Sequence, residues 1–484
     1  MHFSITTNNN YSKSFSQKIQ QQGGNAFDMA IGLQMIAFVT EPILTGIGGS
    51  GIAMINKSGE SPNFIDFFST MPSLPLLQSN HPKKIKIDFG ESTQIFHIDA
   101  GSIATPTMLA GLRYIHKKYA NLEWSFLLEG AIEVSKSPIL MTNNLERILQ
   151  ILSPIVSYHP DFYHIFFDTV GELKSDFSYA STDDLIAIQR SPDTFWLEKS
   201  IELQALNSIG CRVTFEDIQN YRVLEIPIHP ITIDDISIFL PQFPSFSGLQ
   251  LSNNLSQSSF RNLYLTEQLQ HLFHETTSSY RTNIFLSHHN HLKAVPKSAG
   301  NTSHISIVDS DGNAIAMTSS LGESSGLFLP NTRILMNNFL GEDDVTIATA
   351  HQYPNSKLFT MCTPTIIKKQ DDIIAMGAAG SSRIRSSILQ GIFSIKNLLG
   401  TSNQISNQDI QNIVEKPRIH YDQVGIHIES EHDLLSNLDS IPLEYTIHPK
   451  TNLFFGCLNI AANIQNNMLY GADPRRSAVG YTLA

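Results

Sequence analysis

Residues 302–320 read TSHISIVDSDGNAIAMTSS. Two runs of alternating apolar and polar residues flank Asp311-Gly312. Asp-Gly between such runs is a strong short-range signal for an antiparallel hairpin, because the turn needs positive φ and glycine adopts it without strain. The hairpin therefore fixes a pair of antiparallel strands around which the rest of the chain has to be arranged. The polar triplet Thr302-Ser303-His304 stands at the head of the first strand, after the permissive stretch Lys297–Asn301 (KSAGN). A threonine there is either loop filler or a nucleophile.

The second option has a chemical basis. A threonine hydroxyl is a weak nucleophile near pH 7 and needs a base. If the bond between Asn301 and Thr302 is cut, the new α-amino group has a pKa of about 7.7–8.0 and serves as that base. Such a mechanism requires a hydroxyl at the new N-terminus, a strand behind it and a segment before it that can leave. Residues 297–306 meet all three requirements, although many strands begin with threonine.

The remaining segments fall into recognisable elements. Gly24–Phe38 is apolar on most faces and reads as a buried helix that Asn25 can cap. Residues 102–119 read as a turn and a helix with Pro106 near its start, and 124–135 continue helical. Residues 183–209 mix helix and loop. The spacing predicts an amphipathic helix over 262–280. Residues 223–239 alternate as a strand does, and further strands are expected at 332–336, 363–368 and 373–376, with a helix over 387–399. Helices dominate the first 300 residues and strands open the rest, with no Pro- or Ser-rich linker between, so the body reads as α/β or α+β with interlocked halves.

Composition excludes several functions. The chain has 484 residues, 41% hydrophobic and 16% charged, with a net charge of −12. An acidic chain lacks the basic surface that nucleic acid or an anionic membrane requires. The N-terminus shows no basic region followed by an apolar one, and no run reaches the length of a membrane span, so a cytoplasmic location is expected. A start trimmed from a longer precursor would look the same. Three scattered cysteines give neither a disulfide framework nor zinc spacing.

Other motifs are weaker. Gly46-Ile47-Gly48-Gly49-Ser50-Gly51 matches GxGxxG, but the short strand-like segment after it is not the helix a dinucleotide site needs. It reads as a turn, or as backbone passing close to a buried site. His271, His274 and Glu275 lack the order of a metalloprotease helix. His288, His289 and His291 have no carboxylate or cysteine beside them and read as a solvated loop.

Several blocks, in order, resemble γ-glutamyltranspeptidases. The run GNTSHISIVDSDGNAIAMTSSLG is similar to the start of that family's small subunit. GGNAFDMAIGLQMIAFVTEPILTGIGGSG, SIATPTMLAGLRYIHKKYANLEWSFLLEGAIEVSKSP, TMCTPTII, GAAGSSRIRSSILQ and GADPRRSAVGY resemble further blocks of the family. The resemblance implies an N-terminal-nucleophile hydrolase: α+β, a four-layer αββα sandwich, made as a precursor that cuts itself between Asn301 and Thr302. It would then hold a large-subunit region, 1–301, and a small-subunit region, 302–484, in one interlocked fold. It further implies catalytic roles for Thr302, for Ser320 as the hydroxyl that bonds the nucleophile, and for backbone N–H groups at Gly380 and Ser381 facing the oxyanion. Glu342 and Thr360 are the implied substrate contacts. The partners implied are a small amide or peptide substrate and the chain's own two subunits; no cofactor and no metal are needed, because one residue supplies both nucleophile and base.

The departures from the family pattern matter as much. Phe68 stands where glutamyl-specific members carry the arginine that holds the substrate α-carboxylate, and a phenyl ring cannot do that. Thr360-Met361 replaces a serine pair, Gly322 replaces an asparagine, and Phe339 and Glu342 replace a glutamine and an aspartate. Ser381 replaces the second glycine of the oxyanion pair but keeps its N–H. The acylation machinery is retained while the glutamate-recognition set is changed. Three readings follow: hydrolysis or transfer of γ-glutamyl or related amides, an acylase for a non-glutamyl amide, or an unprocessed relative kept for binding.

Overall fold

The computed structural model describes residues 1–76, 81–88, 93–256, 302–342, 345, 353–402, 404–421, 425–432, 435 and 445–484. Two antiparallel sheets form its centre. The first has the strand order Val479–Leu483, Phe3–Thr7, Thr302–Asp309, Ala314–Ser320, Ser50–Asn56, Asn63–Phe67, Leu224–Pro227. The second runs Asn467–Gly471, Cys457–Ile464, Asp372–Ala379, Thr365–Lys369, Ile236–Phe239, Ile231–Ile233. The expected hairpin is the middle of the first sheet, with Thr302 paired to Ser320 and Val308 to Ala314.

Its alternation decides the layering. Ile305, Ile307, Ile315 and Met317 face the helix Ala26–Thr40 and its neighbours. Val308, Ala314 and Ala316 face the second sheet, where they meet Ile366, Ile373 and Ala375. A third apolar cluster joins the far side of the second sheet to the helices Phe246–Ser256, Arg383–Thr401 and Asn407–Glu415. Helix, sheet, sheet and helix are therefore stacked as the αββα sandwich anticipated above.

The helix Ala26–Thr40 is buried along its whole length, as its uniform apolarity requires. Asn25 and Asp28 form a capping box at its start. Asp309, at the hairpin turn, accepts the Ala26 N–H at 3.0 Å and so ties helix to strand.

The first part is richer in helix and the second in strand, as expected, but the sheets are shared between them: four of the seven strands in the first sheet lie before residue 257. Residues 223–239 are not one strand. Pro227 and Pro230 cannot donate ladder bonds, so the chain leaves the first sheet there and enters the second. Residues 332–336 also form no strand. Asn331 turns with φ +58, and the segment folds back through Leu329 N–H to Ile334 C=O and Met336 N–H to Leu327 C=O. Pro106 precedes rather than starts its helix, Met108–Tyr119. The predicted helix over 262–280 and the histidines at 271, 274, 288, 289 and 291 lie outside the described residues. Among the described residues no helix is long and apolar enough to cross a membrane.

Candidate active site

Thr302 is the first residue of its strand and is 5% exposed. Strand alternation puts it on the same face as His304, towards the second sheet. His304 is fully buried: Nδ1 lies 2.8 Å from Thr318 Oγ1, and Nε2 lies 2.7 Å from Ser306 Oγ. Burial lowers its pKa to about 3, so the ring is neutral at any ordinary pH. On the opposite face, Ser303 Oγ donates to Glu41 Oε2 at 2.6 Å. Asn8 and Asn9 donate to the same carboxyl group. Burial raises the Glu41 pKa, and these three donors partly offset the rise. Both sides of the strand's first turn of sequence are thus pinned.

Thr302 opens onto a narrow cleft with about 40 Å³ of free volume. Its polar wall consists of Thr302, Ser320, Thr360, Ser381, Glu323 and Glu342. Its apolar wall consists of Phe68, Phe339, Val345, Met361, Cys362 and Ile384. Of the residues singled out in the sequence, Thr302, Ser320, Ser381, Glu342 and Thr360 therefore meet in one place, although they come from widely separated blocks. Gly380 is not on the wall. It lies one residue behind, with φ +130, and its backbone packs against Gly456. Asn301 lies outside the described residues. Roomier clefts lie beside Tyr11 and Glu133, and beside Asp161 and Arg333, but neither lies at the end of a strand of the two central sheets.

The walls are held from outside. The Ser320 side chain accepts the Gly322 N–H at 2.9 Å. The strand Asp372–Ala379 turns at Gly380-Ser381 into the helix Arg383–Thr401, whose first N–H groups bond to the carbonyls of Gly380 and Ser381. Arg383 Nε donates to Phe454 C=O at 2.9 Å and fixes that turn. Asn337 bonds Gly48 C=O and both polar groups of the Ala104 backbone, joining three loops behind the cleft. The Gly46–Gly51 stretch proves to be close-packed backbone: a Cβ on Gly49 would lie 2.2 Å from the Ser320 carbonyl oxygen.

Phe68 is 1% exposed and its ring sits 5.0 Å from that of Phe339. Behind it, Lys357 Nζ is 2.8 Å from Asp66 and also donates to Phe68 C=O and Tyr221 Oη. Burial raises the Asp66 pKa and lowers that of Lys357, and each partner opposes the other's shift. Cys362 is buried in the wall and its thiol is pushed up to about 12 by that burial, so it stays protonated. Among the described residues no cluster of metal-binding side chains occurs.

Glu323, Val345 and Ile384 reach the cleft without any signal in the sequence, and so does the Glu41 brace. The C-terminal GADPRR block has a structural part. Arg475 Nε donates to Glu429 Oε1 at 2.8 Å, Arg418 Nη2 donates to Asp473 Oδ2 at 2.9 Å, and Asp473 accepts the Leu458 N–H. This buried ion cluster fastens the strand Cys457–Ile464.

A four-layer sandwich with a hydroxyl residue heading a central strand defines an enzyme of the N-terminal-nucleophile hydrolase class. Comparison with known proteins agrees. The solved cephalosporin acylase from Bacillus halodurans superposes with a TM-score of 0.79 over 99% of this chain and 95% of its own, at 17% identity. The glutathione hydrolase proenzyme of Arthroderma benhamiae is 23% identical, over 93% of this chain and 86% of its own. The capsule biosynthesis protein CapD proenzyme of Bacillus anthracis is 22% identical, over 76% and 70%. The family model for gamma-glutamyltranspeptidase matches residues 13–255 and 245–483. The chain belongs to the gamma-glutamyltranspeptidase family, and is an amide hydrolase/acyltransferase of that type.

Proposed function

We propose that the chain is a self-cleaving precursor whose working nucleophile is Thr302. In maturation the Thr302 hydroxyl oxygen attacks the Asn301 carbonyl carbon. The amide C–N bond breaks as the ester forms, and water hydrolyses the ester, leaving a carboxylate on Asn301 and a free α-amino group on Thr302. The cut separates a large region, 1–301, from a small region, 302–484, and the strands both contribute to each sheet keep them together.

In turnover the α-amino group takes the hydroxyl proton while the same oxygen attacks a small substrate amide or peptide. The proton passes to the leaving amine, and Thr302 is left acylated. Water, or the amino group of an acceptor, then removes the acyl group and restores the hydroxyl. Ser320 bonds the nucleophile. The Ser381 N–H, on the wall, stabilises the oxyanion, a role in which a single donor is worth about 3 kcal/mol, and Gly380 behind it sets the turn that presents that group. Glu342 and Thr360 contact the substrate. No step calls on a cofactor.

The observation that carries this reading is the register Thr302↔Ser320 at the mouth of a cleft that also holds Ser381. The test is N-terminal sequencing of purified protein run on a denaturing gel. Two fragments are expected, the smaller beginning with Thr302. Thr302→Ala is expected to abolish both processing and turnover; normal processing in that variant refutes the assignment. Thr302→Ser is expected to cut more slowly and retain some activity.

A further inference from the structure

The charges around the cleft narrow the substrate further. Two carboxylates, Glu323 and Glu342, stand on its wall, and among the described residues no lysine, arginine or histidine does. Arg476 lies within electrostatic reach of Glu323 but is not a wall residue. The buried cation nearest Phe68 is Lys357. It is ion-paired with Asp66 at 2.8 Å, donates to the Phe68 carbonyl and the Tyr221 hydroxyl, and is not a wall residue of the cleft. Phe68 and Phe339 fill the adjoining wall with paired rings.

Glu342 is admitted by a missing side chain. A Cβ on Gly322 would lie 1.8 Å from Glu342 Oε1 and 2.2 Å from Asn338 Oδ1, and Gly322 has φ +67. Only glycine leaves that carboxylate its place. A substrate carboxylate entering this cleft would meet like charge and, among the described wall residues, no cationic donor, with only hydroxyl and backbone groups to offset its desolvation. A protonated amine would meet Glu342, and a slim hydrocarbon chain would meet the phenyl rings.

We propose that the cleft takes an apolar, amine-bearing acyl group with no free carboxylate. The inference rests on Thr302 as the acylated residue and adds the charge of its substrate.

Four p-nitroanilides test it on the processed protein: γ-glutamyl (amine and carboxylate), glutaryl (carboxylate only), 4-aminobutyryl (amine only) and butyryl (neither). Expected kcat/KM for 4-aminobutyryl exceeds that for γ-glutamyl by about tenfold or more, the size of one charged hydrogen bond lost. Butyryl exceeds glutaryl similarly, and 4-aminobutyryl exceeds butyryl. Glu342→Gln erases the advantage of the amine, and Phe68→Arg narrows the penalty on the carboxylate. A wild-type preference for γ-glutamyl over 4-aminobutyryl, or for glutaryl over butyryl, overturns the proposal. Should the processed protein cleave none of the four, the Thr302 reading falls instead. Calorimetric binding of the matching primary amides then decides the charge preference: 4-aminobutyramide binding more tightly than glutamine supports it, and equal, reversed or absent binding overturns it.

Discussion

Replacing His304 by asparagine isolates the acid sensitivity of the strand that carries Thr302. The imidazole is fully buried between the sheets and held neutral, with its pKa lowered to about 3 from an ordinary 6.5. Below pH 6.5 the unfolded chain therefore binds a proton at this position that the folded chain does not. Stability from this group is complete above the unfolded value and is lost as pH falls towards the folded one. The slope is about 1.4 kcal/mol per pH unit, so the loss between pH 6.5 and pH 5 is about 2 kcal/mol. Asparagine keeps a polar atom near Thr318 Oγ1 but removes the titrating ring. Its void costs about 1–2 kcal/mol at every pH. Urea unfolding of both proteins at pH 7.5, 6.5, 5.5 and 5.0 reads the difference directly. The variant is expected to be the less stable at neutral pH, and the gap is expected to close by about 2 kcal/mol on acidification to pH 5. A gap that stays constant across that range refutes the reasoning, because it means that the folded protein protonates His304 as readily as the unfolded one.

Other expectations are simpler. Arg475→Met leaves Asp473 and Glu429 short of their shared cation inside the protein; a loss of about 3–5 kcal/mol is expected in denaturant unfolding. Lys357→Met leaves Asp66 buried without its partner; a lowered Tm is expected, and adding Asp66→Asn is expected to recover most of it. Gly322→Ala forces a methyl group against Glu342 and Asn338 at a left-handed position. A fall in kcat/KM of about tenfold to a hundredfold is expected, since displaced substrate contacts cost that much, with thermal unfolding moved far less.

Local chemistry alone made much of this molecule legible. Asp311-Gly312 between alternating runs declared the central hairpin, and Asn25 declared the start of the buried helix behind it. A hydroxyl residue at the head of that hairpin, after a permissive stretch, marked Thr302 as a candidate, and the ordered blocks of family resemblance marked Ser320, Ser381, Glu342 and Thr360. These signals are short-range: a turn type, a cap or a repeat of two is written in a few neighbouring residues. Where such signals conflicted, the reading failed. Residues 332–336 alternate like a strand, but the left-handed turn at Asn331 folds them onto themselves. Residues 223–239 alternate throughout, but two prolines pass them from one sheet to the other.

The tertiary structure decided what stands around the nucleophile. Glu41 under Ser303, Glu323 and Ile384 on the cleft wall, and the engagement of Lys357 with Asp66, Phe68 and Tyr221 depend on segments far apart in the chain meeting across two sheets. No local pattern encodes that meeting, because a buried polar group selects its partner by proximity in the packed interior and not by spacing along the chain. For the same reason the electrostatic character of the cleft, acidic and ringed by phenyl groups, becomes visible only once the layers have closed.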